Sequence, residues 1–340
     1  MKVIVDDKIP YIKEAISRLA DEVVFLPGRD FTPEEVRDAD ALIVRTRTRC
    51  DRALLEGSRV QFIATATIGF DHMDTAYLRE AGISWTNCPG CNATSVAQYV
   101  RNALLLLQAE RGWKWEELTL GIVGVGHVGS AVEQEVRRLG LQIVRCDPPR
   151  QRMEKEGDYL PLEELARRCD ILTFHVPLQR SGADRTFHLA DAAFFHSLQR
   201  QPVLLNTSRG EVVETQALRE ALHNGQVSQA IIDVWENEPD IDRDLLQEVW
   251  IGTPHIAGYS ADGKANATRM ALDAFCRHFH LQADYHIEPP ALSQPLPPAH
   301  SYAEACLQLY DPRHDSEALK AHPERFEQLR GNYPLRREQL

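Results

Sequence analysis

The stretch Thr119-Leu120-Gly121-Ile122-Val123-Gly124-Val125-Gly126-His127-Val128-Gly129 decides the fold of this chain. A short apolar run with β character ends in Gly-x-Gly-x-x-Gly, and a helix-like stretch follows. In such a strand–turn–helix the first glycine permits the tight turn, the second lets the backbone approach a pyrophosphate, and the third lets helix pack on strand. The N–H groups and positive dipole end of the helix favour an anion. Taken alone, the pattern also fits a turn that binds nothing. A second apolar run, Leu141-Gln142-Ile143-Val144-Arg145-Cys146, ends at Asp147, 23 residues past Gly124. That is where the carboxylate that holds an adenosine ribose is expected, so the two runs together point to a dinucleotide site.

Working outward, β-type runs at Lys2–Val5, Glu22–Leu26, Ala41–Val44, Val60–Ala64 and Ile83–Trp85 alternate with helix-like stretches. Such alternation predicts a parallel sheet with helices on its faces. A long apolar helix is predicted over Ala93–Gln108. It carries Gln98, Arg101 and Asn102 and falls short of the roughly 20 residues of a membrane span, so it reads as buried. A second series follows, with strands at Gly121–Val125, Gln142–Cys146, Ile171–His175, Val203–Asn206, Ala230–Val234 and Ile251–Thr253, and these six match a doubly wound sheet. A Pro-rich segment over 289–298 separates a charged tail with helical spacing near Tyr302–Leu309 and Glu324–Leu329, too short to hold a core alone.

The 340 residues suffice for two domains, and 43% hydrophobic with 26% charged residues is ordinary for a globular protein. A net charge of −12 argues against nucleic-acid and membrane partners, and it obliges an anionic substrate to find a local cationic pocket. The N-terminus runs straight into a strand without the apolar region of a signal peptide, which suggests the cytoplasm. Seven cysteines, an odd number spread along the chain, suggest free thiols in a reducing compartment. Cys88-Pro89-Gly90-Cys91 has redox or zinc spacing, but no second pair or His cluster completes a tetrahedral set, so no metal is expected.

Three polar residues follow strand ends: Arg209 in Asn206-Thr207-Ser208-Arg209-Gly210, Glu238 in Asp233-Val234-Trp235-Glu236-Asn237-Glu238-Pro239, and His255 in Thr253-Pro254-His255-Ile256-Ala257-Gly258. Open α/β sheets bind ligands at the carboxyl ends of their strands, so the three should crowd one site. Arg209 can clamp a carboxylate through two parallel N–H bonds. His255 can take a hydroxyl proton while hydride leaves the same carbon, and Glu238 would fix its tautomer and favour the imidazolium. These types suit oxidation of a 2-hydroxy acid, although a surface salt bridge and a strand-capping His remain open readings. Arg45, Arg47 and Arg49 alternate after the third strand. If extended they share one face, forming either a phosphate pocket, with Arg45 and Thr46 nearest the strand end, or a solvated basic edge. Asp147 favours NAD over NADP by repelling a 2′-phosphate, and Pro148-Pro149 should turn Arg150 away. His72 reads as part of a strand-to-helix turn and His175 as a buried structural residue near the cofactor.

Gly-x-Gly-x-x-Gly, Asn-Thr-Ser-Arg-Gly, Asp-Val-Trp-Glu-x-Glu-Pro and Thr-Pro-His-Ile-Ala-Gly, in that order, resemble the D-isomer-specific 2-hydroxyacid dehydrogenases. The resemblance implies an NAD-dependent enzyme that acts on a small phosphorylated 2-hydroxy acid and forms a homodimer. It implies an α/β fold: a Rossmann doubly wound sheet over 93–257, a smaller flavodoxin-like substrate domain from 1–92 and 258–286, and a dimerisation element over 287–340. Arg209, Glu238 and His255 would be catalytic, His255 as proton donor and acceptor. NAD would meet Gly124, Gly126, His127, Val128, Gly129, Asp147, His175, Val176, Thr207, Ser208, Asp233 and Gly258. Substrate would meet Arg45, Thr46, Thr67 and Tyr259. Val176 stands where the family has Thr, which leaves only a backbone contact there, and members commonly run further past Arg336-Arg337-Glu338 than this chain, which stops at Leu340. Relatives acting on 3-phosphoglycerate, glyoxylate or hydroxypyruvate, and non-enzymatic NAD-sensing proteins on this fold, are the alternatives. Retention of all three catalytic types favours an enzyme.

Overall fold

Strands buried on both faces read as continuous apolar runs, and the computed structural model places such runs in two parallel sheets. It describes residues 1–154, 157–292 and 295–338. They fall into two units, Met1–Asn92 with Ser260–Ser293, and Ala93–Tyr259 with Gln294–Leu340. Among the described residues no helix is long and apolar enough to cross a membrane.

In the first unit β1 (Lys2–Asp6), β2 (Glu22–Leu26), β3 (Ala41–Val44), β4 (Phe62–Thr65) and β5 (Ser84–Thr86) lie in the order β2-β1-β3-β4-β5, the flavodoxin-like order. Every residue of β3 and β4 is buried. The helix Ala261–Phe279 starts where the Ser260 hydroxyl accepts the Gly263 N–H at 2.7 Å. It sets Ala265, Ala271, Leu272 and Phe275 against Val3, Val5, Ile43 and Phe62.

The second unit contains β6 (Thr119–Val123), β7 (Gln142–Cys146), β8 (Ile171–Phe174), β9 (Val203–Asn206), β10 (Gln229–Ile232) and β11 (Ile251–Gly252), in the order β11-β10-β9-β8-β6-β7. The expected six strands are present, but their assignment differs from a simple Rossmann count. The third Rossmann strand is reduced to a lone parallel bridge between Arg145 and Tyr159 at the β7 edge, and β11 extends the far edge. Register fixes the functional end. Cys146, Val123, Phe174, Asn206, Ile232 and Gly252 pair in one row across the sheet. Asp147, Gly124, His175, Thr207, Asp233 and Thr253 are therefore each one residue past that row.

The helix Ala93–Arg111 is buried from Ser95 to Leu107, Gln98, Arg101 and Asn102 included. Two of those polar residues, with Ser95, serve the tail. The Asn102 amide donates to the carbonyls of Cys306 (3.1 Å) and Tyr310 (2.5 Å), at the end of the helix Tyr302–Leu309. Gln98 donates to the Arg337 carbonyl at 2.8 Å, and Ser95 to the Glu338 carboxylate at 2.6 Å. Residues of the tail thus belong to the nucleotide-type unit, with Leu319 and Phe326 wholly inside its core. Asn102→Ala leaves two buried carbonyls without this donor and should cost about 1–3 kcal/mol of stability, read as a lower urea midpoint at unchanged slope.

Candidate active site

The loops past the strand row are shaped by their own side chains. Buried Asn206 accepts the Ser208 N–H (3.1 Å) and hydroxyl (2.8 Å) and donates to the Arg209 carbonyl (2.9 Å), so Asn-Thr-Ser-Arg-Gly folds on its first residue. Gly210 is required by close approach: a Cβ there would lie 2.0 Å from the Trp235 carbonyl. Arg209 itself is exposed, with one Nη turned to the Ser208 carbonyl at 2.7 Å.

On the next loop the Trp235 indole donates to the Thr253 carbonyl, and its backbone N–H donates to Glu238 Oε1, both at 2.9 Å. Glu238 Oε2 lies 2.8 Å from His255 Nδ1. Burial pushes the Glu238 carboxyl up, but the bond to His255, the charge on that ring, the Trp235 N–H and Arg330 outweigh it and hold it below the usual carboxylate range.

His255 sits at φ 58°, a left-handed conformation that costs a non-glycine residue about 1–2 kcal/mol. Buried Asp233 compensates. Its carbonyl accepts the His255 N–H at 2.7 Å. Its carboxylate accepts the Thr253 hydroxyl (2.6 Å) and the N–H groups of Ile256 (2.8 Å) and Ala257 (2.9 Å). The Tyr99 hydroxyl lies 2.8 Å from Thr253 Oγ1 and closes the chain of bonds. In this structure Asp233 shapes the loop that carries His255.

At the other end of the row, Gly126 opens the helix His127–Arg137 without a side-chain cap, and a Cβ there would meet nothing within 4 Å. That leaves room for an anion over the helix N-terminus. Gly129 admits no Cβ, which would lie 2.0 Å from the Gly124 carbonyl. Asp147 accepts the N–H groups of Val125 (2.8 Å) and Arg150 (2.9 Å), one on each oxygen. A carboxylate has about four lone-pair sites, so capacity remains for ribose hydroxyls. The residues fit an adenine dinucleotide. His175 is buried between the hydroxyls of Thr173 (2.9 Å) and Thr207 (3.2 Å), and burial pushes its imidazole down to about 3, so it stays neutral. Val176 packs where a Cβ on Gly124 would meet its Cγ1 at 2.7 Å.

Two local expectations are corrected. Pro148-Pro149 does not turn Arg150 away. The pair opens the helix Pro148–Met153, capped by Asp147, as proline in a first turn favours. The Arg150 guanidinium folds back onto the Val125 carbonyl and the Ser130 hydroxyl and pairs with Glu154. Nor is Arg45–Arg49 extended: the Thr48 N–H donates to the Arg45 carbonyl at 3.1 Å, which makes a turn and breaks the common arginine face. Arg45 donates to the Lys8 carbonyl (2.8 Å) beside buried Asp6, Arg49 to Asp51 (2.9 Å), and Thr46 and Arg47 are exposed. Thr46 and Thr67 follow the adjacent carboxyl ends of β3 and β4 in the first unit. Thr67 Oγ1 lies 2.7 Å from Thr65 Oγ1, and His72 Nε2 lies 2.9 Å from the same Thr65 atom.

Sequence reasoning missed the tail's part in this unit. Arg330 donates to the Tyr259 hydroxyl at 3.1 Å and stands 3.7 Å from Glu238 Oε2. Buried Arg336 donates to the carbonyls of Ile256 (3.2 Å), Ala257 (2.6 Å) and Ser95 (2.9 Å). No local periodicity marks either residue; only the run Arg336-Arg337-Glu338 stands out, and without a role. Gly258 lies between the two clamped segments and is half-buried. Among the described residues no cluster of three or more His, Cys, Asp or Glu could hold a metal.

The profile described as "D-isomer specific 2-hydroxyacid dehydrogenase, NAD binding domain" matches residues 92–257. An erythronate-4-phosphate dehydrogenase of Bacteroides fragilis is 63% identical over 100% of this chain and 97% of its own length. One of Porphyromonas gingivalis is 43% identical over 99% of this chain and 94% of its own. Among solved structures, the TT0316 protein of Thermus thermophilus is 28% identical with a TM-score of 0.66, covering 84% of this chain and 99% of that one. The chain belongs to the erythronate-4-phosphate dehydrogenases, within the D-isomer specific 2-hydroxyacid dehydrogenase family.

Proposed function

We propose that this chain oxidises the C2 hydroxyl of 4-phospho-D-erythronate, giving 2-oxo-3-hydroxy-4-phosphobutanoate, in the biosynthesis of pyridoxal 5′-phosphate. The observation that carries the chemistry is the 2.8 Å contact between His255 Nδ1 and Glu238, with His255 three residues past the end of β11. The substrate is supported by near-complete likeness to relatives bearing that name.

With Nδ1 held by Glu238, Nε2 is the nitrogen that takes the C2 hydroxyl proton. NAD, when bound at Gly124 to Gly129 and Asp147, supplies the hydride acceptor. Arg209 clamps the substrate carboxylate through its fork and stabilises charge growing on the C2 oxygen. Swinging the exposed guanidinium off the Ser208 carbonyl requires no burial of a new charge. Thr46, Thr67 and Tyr259 contact the substrate, and Arg45 with Thr46 meets its phosphate. The same reading includes a cytoplasmic setting, supported by seven cysteines that are all free thiols and buried. It also includes a homodimer, supported by the exposed Tyr302 and Leu335 of the tail, apolar surface that a second copy can cover.

A panel of phosphorylated and plain 2-hydroxy acids, followed by NADH absorbance, tests the substrate. Saturable turnover only with 3-phosphoglycerate or glyoxylate-type acids would transfer the assignment to another branch. His255→Asn should lower kcat at least about 100-fold, and near-normal turnover would remove His255 from the mechanism. In the forward reaction His255 must start neutral, and the Glu238 charge favours its protonated form. Glu238→Gln should therefore move the acidic limb of kcat/KM to lower pH, and an unmoved limb separates the two residues. The wild-type enzyme should prefer NAD to NADP, with Asp147→Ala narrowing the gap; equal kcat/KM for both cofactors would contradict the role of Asp147.

A further inference from the structure

Glu238 Oε2 serves two cationic partners. His255 Nδ1 lies 2.8 Å from it on one side, and Arg330 Nη1 lies 3.7 Å from it on the other. Arg330 enters from the tail helix Phe326–Gly331, and its Nε also donates to the Tyr259 hydroxyl at 3.1 Å. Its side chain is 28% exposed and that of Glu238 17%, so solvent screens the pair only in part. We propose that Arg330 is a positioning residue for the reaction proposed above: it holds Tyr259 and, by sharing the Glu238 carboxylate with His255, keeps the imidazole ready to accept a proton.

The sign follows from the charges around the ring. The negative charge of Glu238 faces the His255 ring, while buried Asp233 bonds the backbone and the Thr253 hydroxyl of the same loop. The positive charge of Arg330 faces Glu238 from its other side. Arg336, on the carbonyls of Ile256 and Ala257, and Arg209, on the neighbouring loop, are the other cations of these segments. Arg330, whose Nη1 also stands 4.0 Å from the Glu327 carboxylate, shares the Glu238 carboxylate with the ring and offsets part of its negative charge. It acts through Glu238 and not on substrate, which sets it apart from Arg209.

The test uses the full chain with Arg330→Gln, Arg330→Lys and Glu238→Gln. The His255 imidazole, assigned by its loss in His255→Asn, is titrated by NMR without substrate, beside the acidic limb of kcat/KM. Arg330→Gln should raise the midpoint and the limb by about half to one pH unit, read as a three- to ten-fold loss of kcat/KM on the acidic side. Glu238→Gln should move both the opposite way. Arg330→Lys, which keeps the cation, should stay within about 0.3 unit of wild type while raising KM through the loosened Tyr259. A Gln variant with the midpoint unmoved or lowered overturns the proposal. If the Gln variant does not fold, a Lys variant whose midpoint departs by more than about half a unit does the same. Should wild type fail to oxidise 4-phospho-D-erythronate, the substrate assignment falls, while the NMR midpoints still decide the role of Arg330.

Discussion

The loop that carries His255 in the second unit depends on the Asp233 carboxylate, one residue past the end of β10. It is 1% exposed, and burial raises its proton affinity above the ordinary aspartate range. A buried carboxylate is tolerated only when its lone pairs are met. Here the donors are one hydroxyl and two N–H groups of residues 253–257, so the loop must fold over the acid to satisfy it. That requirement puts His255 in its left-handed conformation and aims its ring at Glu238. The Trp235 indole, on the Thr253 carbonyl, and the Tyr99 hydroxyl of the long helix, beside Thr253 Oγ1, then lock the same turn from outside it. The chemistry proposed for His255 rests on a polar network in which every named member is bonded, the condition under which such networks specify one geometry.

Two imidazoles of this unit show how surroundings divide labour. His175 lies dry between two threonine hydroxyls and is kept neutral. His255 is half-buried against a carboxylate whose own proton affinity is held down by that ring, a backbone N–H and a guanidinium. The first can only donate and accept fixed hydrogen bonds beside the nucleotide turn. The second bonds the Glu238 carboxylate at 2.8 Å, the partner that the base proposed above needs. Both residues follow strands of one sheet by one to three positions, so fold position does not distinguish them; the neighbouring side chains do.

Much of this was legible in the chain. Parallel strands covered on both faces are near-continuous apolar runs, so β1, β3, β4, β6, β8, β9 and β10 stand out, and the motifs after β6, β9, β10 and β11 are contiguous. Arg209, Glu238 and His255 could be named because each sits within a few residues of a strand end. Only Glu238 and His255 are in contact here; Arg209 stays exposed on its own loop. What failed was chain geometry over a few polar residues. Alternating arginines suggested an extended face, but the Thr48–Arg45 bond closes a turn, and a proline pair suggested a deflection where it starts a helix. The third Rossmann strand could not be read because it survives as a single bridge at Tyr159. The tail's contacts were illegible for a different reason: Glu238 and Arg330, or Ala257 and Arg336, are tens of residues apart, and nothing periodic links them.

The tail shows how a segment without a core can still be ordered. Its helices Tyr302–Leu309 and Pro312–Ala321 have eight and ten residues, below the roughly 12–15 at which isolated helices begin to hold in water. The tail persists by burying Leu319 and Phe326 and by drawing on Ser95, Gln98 and Asn102 of the long helix Ala93–Arg111. The traffic runs both ways, because Arg336 completes carbonyls of the His255 loop and the Ser316 hydroxyl accepts the N–H of Gly252 at 3.0 Å. Two groups that each satisfy the other's buried polar atoms cannot be ordered independently: loosening one leaves carbonyls or a guanidinium without partners in the other. The order of the tail and the order of the His255 loop are therefore one equilibrium, and the segment least able to fold alone becomes part of what holds the imidazole in place.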